Sequence, residues 1–152
     1  MLAKDIMTKG VLTVEPETPI REVAEILVNH KISGVPVVDK DGKLKGIVSE
    51  GDLLCKEAGP ALPDGLCILG AVIIYHGFRE YQREFRKFSA MNAAEIMTEE
   101  VETAREDTEV GEIARIMRDK HIKRVPIADD AGKLVGIVSR QDIVRMLLAD
   151  EE

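Results

Sequence analysis

The chain contains an internal repeat with an offset of ninety residues. Residues 3–54 align with residues 93–144 without a gap, and 22 of the 52 aligned positions are identical. At the centre of the repeat, Gly46–Asp52 (GIVSEGD) returns as Gly136–Asp142 (GIVSRQD). An offset of this kind means that one supersecondary unit is used twice. The fold must therefore be assembled from two copies of the same small unit.

Each copy reads as a β-α-β-β-α unit. A short helical turn opens it (residues 3–7 and 93–97), and the extended stretch that follows predicts a first strand. Thr18 and Thr108 then precede apolar residues at the i, i+3, i+4 and i+7 spacing of a helix with one buried face. A threonine before such a stripe is a favoured helix cap, so we predict that each threonine caps the helix that follows it.

A β-hairpin is predicted next in each copy. Two β-rich runs flank Asp41-Gly42 in the first copy and Ala131-Gly132 in the second, and a glycine in so short a loop is a hairpin signal. The second run ends at a serine, and an aspartate follows at the start of an apolar-periodic segment, which indicates a strand that turns into a helix. About 60 residues bury too little surface to be stable alone. We therefore predict an α/β (α+β) fold in which two tandem units pack with pseudo-two-fold symmetry.

The copies are separated by an insert that is too long for a structureless loop. We predict a first repeat over residues 1–58, an insert over 59–90 and a second repeat over 91–152. The insert is predicted to be partly helical, because its aromatic side chains fall on one face of an amphipathic helix. This aromatic face is either core or subunit contact, or a docking face for a partner protein. Its members are Phe78, Tyr81, Phe85 and Phe88.

Composition limits the partners of the chain. A net charge of −7 opposes nucleic-acid binding, which rests on cations that neutralise phosphates, and 3% aromatic residues leave few rings for stacking bases. The longest apolar run, Leu66–Tyr75, has about half of the ~20 residues that span a bilayer. Cys55 and Cys67 lack the Cys-x-x-Cys spacing, and no leader precedes the first repeat. We expect no nucleic-acid partner, no membrane insertion and a cytoplasmic setting.

No motif indicates an enzyme. Nucleophile-elbow, Walker and dinucleotide-binding motifs are absent, and no set of residues suggests a nucleophile with a base and an orienting group. The three histidines and two cysteines lack the spacing of metal ligands, so a metal- or redox-responsive protein is a remote alternative.

Three features of the repeat together resemble the CBS-domain pair, also called a Bateman module. They are the Ile-Met-Thr opening, the Val-Pro pair in the second strand, and the Gly-Ile-Val-Ser-x-x-Asp closing, each present twice. The resemblance covers both repeats but not residues 55–92, which are longer than the usual connection. It implies two clefts that bind AMP, ADP, ATP or S-adenosylmethionine as a regulatory ligand, no catalytic cofactor, an unknown protein target, and a homodimer.

The resemblance also implies the binding residues. Asp52 and Asp142 would hold ribose hydroxyls, Ser49 and Ser139 would lie beside phosphates, and small apolar pockets would hold the base. The residues of the base pockets are Thr8, Val11, Val35 and Pro36, with Thr98, Val101, Val125 and Pro126 as their counterparts.

The chemistry of these residues agrees with that role, but it also allows a simpler one. A carboxylate accepts hydrogen bonds from two neighbouring hydroxyls, and a helix N-terminus offers N–H groups to an anion. Yet Ser-x-x-Asp before an apolar run is also a capping box. If that is its whole role, the chain is a protein-protein interaction or dimerisation scaffold, and replacing Asp52 or Asp142 costs stability without touching a ligand.

The copies differ where phosphates would lie. Lys123 and Arg124 precede the second Val-Pro pair, whereas Gly34 is aligned with Arg124 in the first copy. A guanidinium suits bidentate contact with phosphate oxygens, so the second site is predicted to prefer charged nucleotides. The alternative is a solvated basic edge at a helix C-terminus.

Overall fold

The protein is a mixed helix and strand fold, as predicted. The computed structural model describes residues 1–58, 64–68, 71–76, 79, 82, 86 and 89–149. Within that part of the chain, the helices and strands are α1 (Ala3–Ile6), α2 (Ile20–Asn29), β1 (Gly34–Val38), β2 (Leu44–Ser49), α3 (Glu50–Ala58), β3 (Asp64–Ile68), β4 (Ala71–His76), α4 (Ala93–Ile96), α5 (Val110–Lys120), β5 (Arg124–Ala128), β6 (Leu134–Ser139) and α6 (Arg140–Ala149).

The two predicted hairpins are confirmed. β1 pairs with β2, and β5 pairs with β6 in an antiparallel register that places Arg124 opposite Ser139. Gly42 and Gly132 have φ angles of 80° and 79° in the connecting turns. Because a side chain is disfavoured at positive φ, glycine at this place allows so short a reversal in both repeats.

The predicted first strand and the predicted threonine caps are wrong. In the second repeat the first strand is reduced to one parallel bridge, between Ala104 and Ile127. The residues at the N-cap positions of α2 and α5 are Pro19 and Glu109. The hydroxyl of Thr18 instead accepts a hydrogen bond from the amide of Glu15, so it closes the turn before the helix.

The insert contains an antiparallel β-hairpin, formed by β3 and β4 with an irregularity between Asp64 and Gly65. The run Leu66–Tyr75, which the sequence marks only as apolar, lies almost wholly in these two strands. Arg79, Gln82 and Arg86 are helical and exposed. The aromatic side chains predicted on this helix, at positions 78, 81, 85 and 88, lie outside the described residues.

The chain divides into two compact units, and each unit takes segments from both repeats. The first unit contains residues 1–13, 36–46 and 98–152. In its core, α1 packs against β6 and α6, and α5 packs against β5 and α6. The core is apolar and aliphatic, and it consists of Ala3, Met7, Ala104, Ile113, Met117, Val125, Ile127 and Val138.

The N-terminal segment adds an edge to the second hairpin within this unit. The amide of Thr8 donates to the carbonyl of Ile137 at 2.9 Å, and the amide of Ile137 donates back at 3.1 Å. The approach requires Gly136, because a Cβ there would lie 2.5 Å from Sδ of Met7 and 3.1 Å from the carbonyl oxygen of Thr8. Glycine in the GIVS motif thus lets the first residues of the chain lie on β6.

The second unit contains residues 14–35 and 47–97. The segment before α4 is held beside α2, since the amide of Ala93 donates to the carbonyl of Thr18 at 2.9 Å and the amide of Ile20 donates to the carbonyl of Met91 at 3.1 Å. Val23 on α2 is fully buried. The domain boundaries at 58 and 91 stay a prediction.

Candidate functional site

The start of α6 carries the serine and aspartate of the second GIVS motif. Oδ2 of Asp142 accepts hydrogen bonds from the amide of Ser139 at 2.7 Å and from its hydroxyl at 2.8 Å. The amide of Asp142 lies 3.3 Å from the same hydroxyl oxygen, to which it donates. This reciprocal pattern is a complete capping box. It fixes the carboxylate at the end of the strand and leaves Oδ1 outside the box.

Asp142 also lines an open cleft of about 300 Å³ between α1 and α6. Its side chain is 10% exposed, and its Oδ1 lies 3.6 Å from Nη1 of Arg145, whose side chain is 74% exposed. The other lining residues are mostly apolar and comprise Met1, Asp5, Ile6, Met146 and Ala149.

Three cationic residues lie where β5 begins and α6 starts: Lys123, Arg124 and Arg140. Arg124 is paired with Ser139 across the hairpin. The amide of Arg140, the first residue of α6, donates to the carbonyl of Lys123 at 3.0 Å. Free N–H groups and the macrodipole make a helix N-terminus attractive to anions, and the neighbouring cations add to that potential.

The equivalent region of the first repeat, which lies in the second unit, has the same backbone and different charges. The amide of Ser49 donates to Oδ2 of Asp52 at 2.9 Å, its hydroxyl donates to that oxygen at 3.2 Å, and the amide of Asp52 donates to the hydroxyl oxygen at 3.4 Å. The amide of Glu50 donates to the carbonyl of Ser33 at 2.9 Å, as Arg140 does to Lys123. Asp52 is buried, at 6% exposure.

The remaining predicted residues differ in accessibility. Thr8 and Thr98 are exposed, and Val11 is half-buried. Val101, also half-buried, lines a cleft of about 190 Å³ together with Thr103, Lys45 and Glu99. By contrast, the Val-Pro pairs are buried in their strands, with Val125 in the core of its unit: Val35, Pro36, Val125 and Pro126.

Two residues beside the second site were missed by the sequence reasoning. Arg140 and Arg145 take the positions of Glu50 and Cys55 in the first repeat. Extending the ninety-residue alignment through the helix would have found both, because each changes charge between the copies. The second site is therefore more basic than Arg124 alone indicates.

Two other kinds of feature are absent from the described part of the chain. Among these residues, no helix is long and apolar enough to cross a membrane. The same residues contain no cluster of three or more His, Cys, Asp or Glu side chains that could hold a metal ion.

The structure thus uses a hairpin-helix unit twice, with a serine-aspartate capping box at the start of each helix. The CBS domain model matches residues 3–58 and 93–149. Since these two segments make up most of the chain, the chain belongs to the CBS-domain family, as a tandem pair.

Individual relatives agree with this membership. An uncharacterized protein of Methanocaldococcus jannaschii, MJ1426, is 32% identical over 97% of this chain and 92% of its own length. CBSX2, a chloroplastic CBS domain-containing protein of Arabidopsis thaliana, is 30% identical, and the chain spans 62% of its length. The structure of CBSX2 in complex with AMP matches with a TM-score of 0.84 over 99% of both chains, at 28% identity.

A third match has two other adenosine compounds bound. The CBS domain pair of protein MJ0100, in complex with 5′-methylthioadenosine and S-adenosylmethionine, has a TM-score of 0.74 and 32% identity. The match covers 99% of this chain and 98% of that one.

Proposed function

We propose that this chain is a regulatory module that binds an adenosine-containing ligand at the second GIVS motif. The observation that carries the proposal is the capping box at the start of α6, with Lys123, Arg124 and Arg140 around it. It is supported by the matches to CBS-domain pairs in complex with AMP and with 5′-methylthioadenosine and S-adenosylmethionine.

Each residue of the second site has a role in this proposal. The carboxylate of Asp142 accepts hydrogen bonds from the ribose hydroxyls, because an ionised carboxylate is an acceptor with two oxygens. The hydroxyl of Ser139, the first N–H groups of α6, and the side chains of Lys123 and Arg124 bind phosphate. The exposed Thr8 and the half-buried Val11 border the base, beside the hairpin of β5 and β6 that carries Val125 and Pro126.

The first repeat provides a second, less basic site. Asp52 and Ser49 take the same roles there. Because Gly34 and Glu50 replace two arginines, this site binds phosphorylated ligands more weakly, or takes an uncharged adenosine derivative. AMP, ADP and ATP are candidates for the second site, and S-adenosylmethionine is a candidate for either.

Regulation follows if the ligand binds two conformations with different affinity, since only differential binding shifts an equilibrium. The module then acts on a protein partner in a cytoplasmic setting without catalysis of its own. A homodimer fits the exposed apolar stripe on α6, formed by Val144, Leu147 and Leu148. Leu54, which is equivalent to Val144, is exposed on α3. A monomer at all concentrations in light scattering would contradict the dimer.

The alternative function is an interaction scaffold whose clefts bind no nucleotide. The complete hydrogen bonding of both capping boxes favours it, because each serine and aspartate already has a structural partner without a ligand. Under this alternative, Asp142→Ala and Asp52→Ala each lower the melting temperature and change nothing else.

A thermal-shift panel separates the two functions. The ligands are AMP, ADP, ATP, S-adenosylmethionine and 5′-methylthioadenosine, with GTP as the control, on native protein and on Asp142→Ala and Asp52→Ala. Ligand at about a hundred times Kd stabilises the native state by roughly 2.7 kcal/mol. The quantity compared is the shift on adding ligand, not the melting temperature itself. A shift with adenosine compounds that Asp142→Ala abolishes supports the proposal, and no shift with any ligand refutes it.

A further inference from the structure

Arg145 lies beside the carboxylate of Asp142, which binds the ribose in the proposed function. Resting on that function, we propose that Arg145 is an internal competitor of the ligand at Asp142, and that its ion pair makes the affinity of the second site depend on ionic strength. Arg145 is therefore a positioning residue, which acts on the ligand through Asp142.

The two oxygens of the Asp142 carboxylate have different partners. Oδ2 accepts from both the amide and the hydroxyl of Ser139, at 2.7 and 2.8 Å. Oδ1 lies 3.6 Å from Nη1 of Arg145. A ribose offers two neighbouring hydroxyl donors, so the ligand needs Oδ1 in addition to any share of Oδ2. The ligand and the guanidinium therefore compete for the same oxygen.

The pair is weak enough to be displaced. At 3.6 Å the contact is an ion pair, longer than a good charge-assisted hydrogen bond. The arginine side chain is 74% exposed, so solvent and salt screen it, whereas the aspartate is 10% exposed. Both residues line the cleft of about 300 Å³ between α1 and α6, which gives the guanidinium room to move aside.

The first repeat has no arginine at the equivalent position. Cys55 takes the position of Arg145 on α3, three residues after Asp52. The same carboxylate and the same capping box are thus present twice, and the arginine is specific to the second repeat. The expected effect of salt through this arginine is therefore confined to the second site.

The test uses 5′-methylthioadenosine, which carries no phosphate, so that salt does not act through Lys123 or Arg124. Calorimetric titrations are run at about 0.05 M and 0.5 M salt, where the screening length falls from roughly 14 to 4 Å. All proteins carry Asp52→Ala, so that the heat comes from the second site. If that background folds poorly, the methyl signal of Met146, which lines the cleft, reports the same titration in the otherwise native protein.

With Arg145 present, we expect high salt to tighten binding about twofold to fivefold, the range of a largely exposed ion pair. Arg145→Gln should bind more tightly at low salt by the same factor and show no salt dependence. Arg145→Lys should restore the salt dependence, since it keeps the charge. Arg118→Gln is the matched control, because Arg118 is also an exposed, paired arginine, on α5.

Weaker binding by Arg145→Gln would overturn the proposal, because it would mean that Arg145 contacts the ligand directly. An unchanged salt dependence in Arg145→Gln would overturn it as well. If no adenosine compound binds either the native protein or Arg145→Gln, the proposed function itself has failed, and the competition falls with it.

Discussion

The two repeats share a backbone and differ in charge at the same place. In both, the hairpin ends at a serine, and the next helix begins with a capping box. The first amide of that helix donates to the carbonyl of the residue just before the first strand of the hairpin. The second repeat has Lys123, Arg124 and Arg140 around this point. The first repeat has Ser33, Gly34 and Glu50 at the equivalent positions.

This difference indicates which residues serve the fold and which are free to serve a ligand. The serine and aspartate of the capping box and the Val-Pro pairs are identical in both copies, and buried strand positions that differ, such as Val37 and Ile127, stay apolar. The residues around them differ in charge, whereas the backbone hydrogen bonds that Glu50 and Arg140 donate are the same. A duplicated unit can therefore change its ligand preference without changing its packing.

The largest expected effect comes from exchanging the strand-start residues. Arg124→Gly should weaken ATP binding at the second site about tenfold to a hundredfold, the range for losing a charge-assisted hydrogen bond. Gly34→Arg should strengthen ATP binding at the first site. Calorimetry on each single variant and on the double variant measures the ATP affinity of both sites. Equal ATP affinity in native protein and Arg124→Gly would mean that Arg124 does not bind phosphate and belongs only to a solvated basic edge.

Disrupting the contact between the N-terminal segment and β6 should have the next largest effect. Gly136→Val places a branched side chain where a Cβ alone would lie 2.5 Å from Met7 and 3.1 Å from the backbone of Thr8. Overpacking of this kind costs about 1–3 kcal/mol in the free energy of unfolding. Urea denaturation measures it.

Gly111→Ala is the control for this substitution. Gly111 lies on α5, and a methyl group added there would meet nothing within 4 Å beyond its own turn of helix, so alanine should stabilise the helix by about 0.5–1 kcal/mol. A harmless Gly136→Val would mean that the N-terminal segment does not lie on β6 in solution.

Removing the carboxylate of each capping box compares how much the box stabilises each repeat. Asp52→Ala and Asp142→Ala should each lower the free energy of unfolding by about 0.5–2 kcal/mol, the usual cost of a lost cap. Asp52→Ala should lie at the upper end, because Asp52 is the more buried of the two. Chemical denaturation without ligand measures both. Unchanged stability in both variants would remove the capping role.

The sequence predicted local structure where the side chains determine it. The positive φ at Gly42 and Gly132 is a local requirement, and both hairpins were found from those glycines. The caps failed because a threonine hydroxyl can close a turn as well as a helix, and Thr18 and Thr108 bond the amides of Glu15 and Arg105. A short apolar run such as Leu66–Tyr75 is ambiguous between helix and strand, so the insert hairpin was not predicted.

The sequence pattern could not predict which distant segments of the chain lie side by side. Thr8 pairs with Ile137, across most of the length of the chain, and nothing in the local sequence of either residue indicates the other. The same limit applies to the ion pair between Asp142 and Arg145. Its spacing is visible in sequence, but its place in the cleft depends on α1, which is distant along the chain.

The smallest expected effect concerns the hairpin turns. Oδ1 of Asp39 accepts from the amides of Asp41 and Lys43, at 2.9 and 3.0 Å, and Oδ2 lies 3.5 Å from Nζ of Lys45. The hydrogen bond from the Lys43 amide, chiefly, lowers the pKa of Asp39. Asp129 makes the same amide contacts in the second repeat, but a valine replaces the lysine.

The sign of the pH dependence follows from that lowered pKa. A carboxylate whose pKa is lower in the folded state stabilises the fold above its unfolded pKa of about 4, and this contribution is lost as the pH falls through the folded value. Asp39→Asn keeps the shape of the turn without the charge. Its stability deficit, measured by urea denaturation across pH, should therefore be present at neutral pH and vanish in acid, and Lys45→Val should reproduce part of it. A deficit that is constant with pH would mean that Asp39 stabilises the turn through its geometry rather than through its charge.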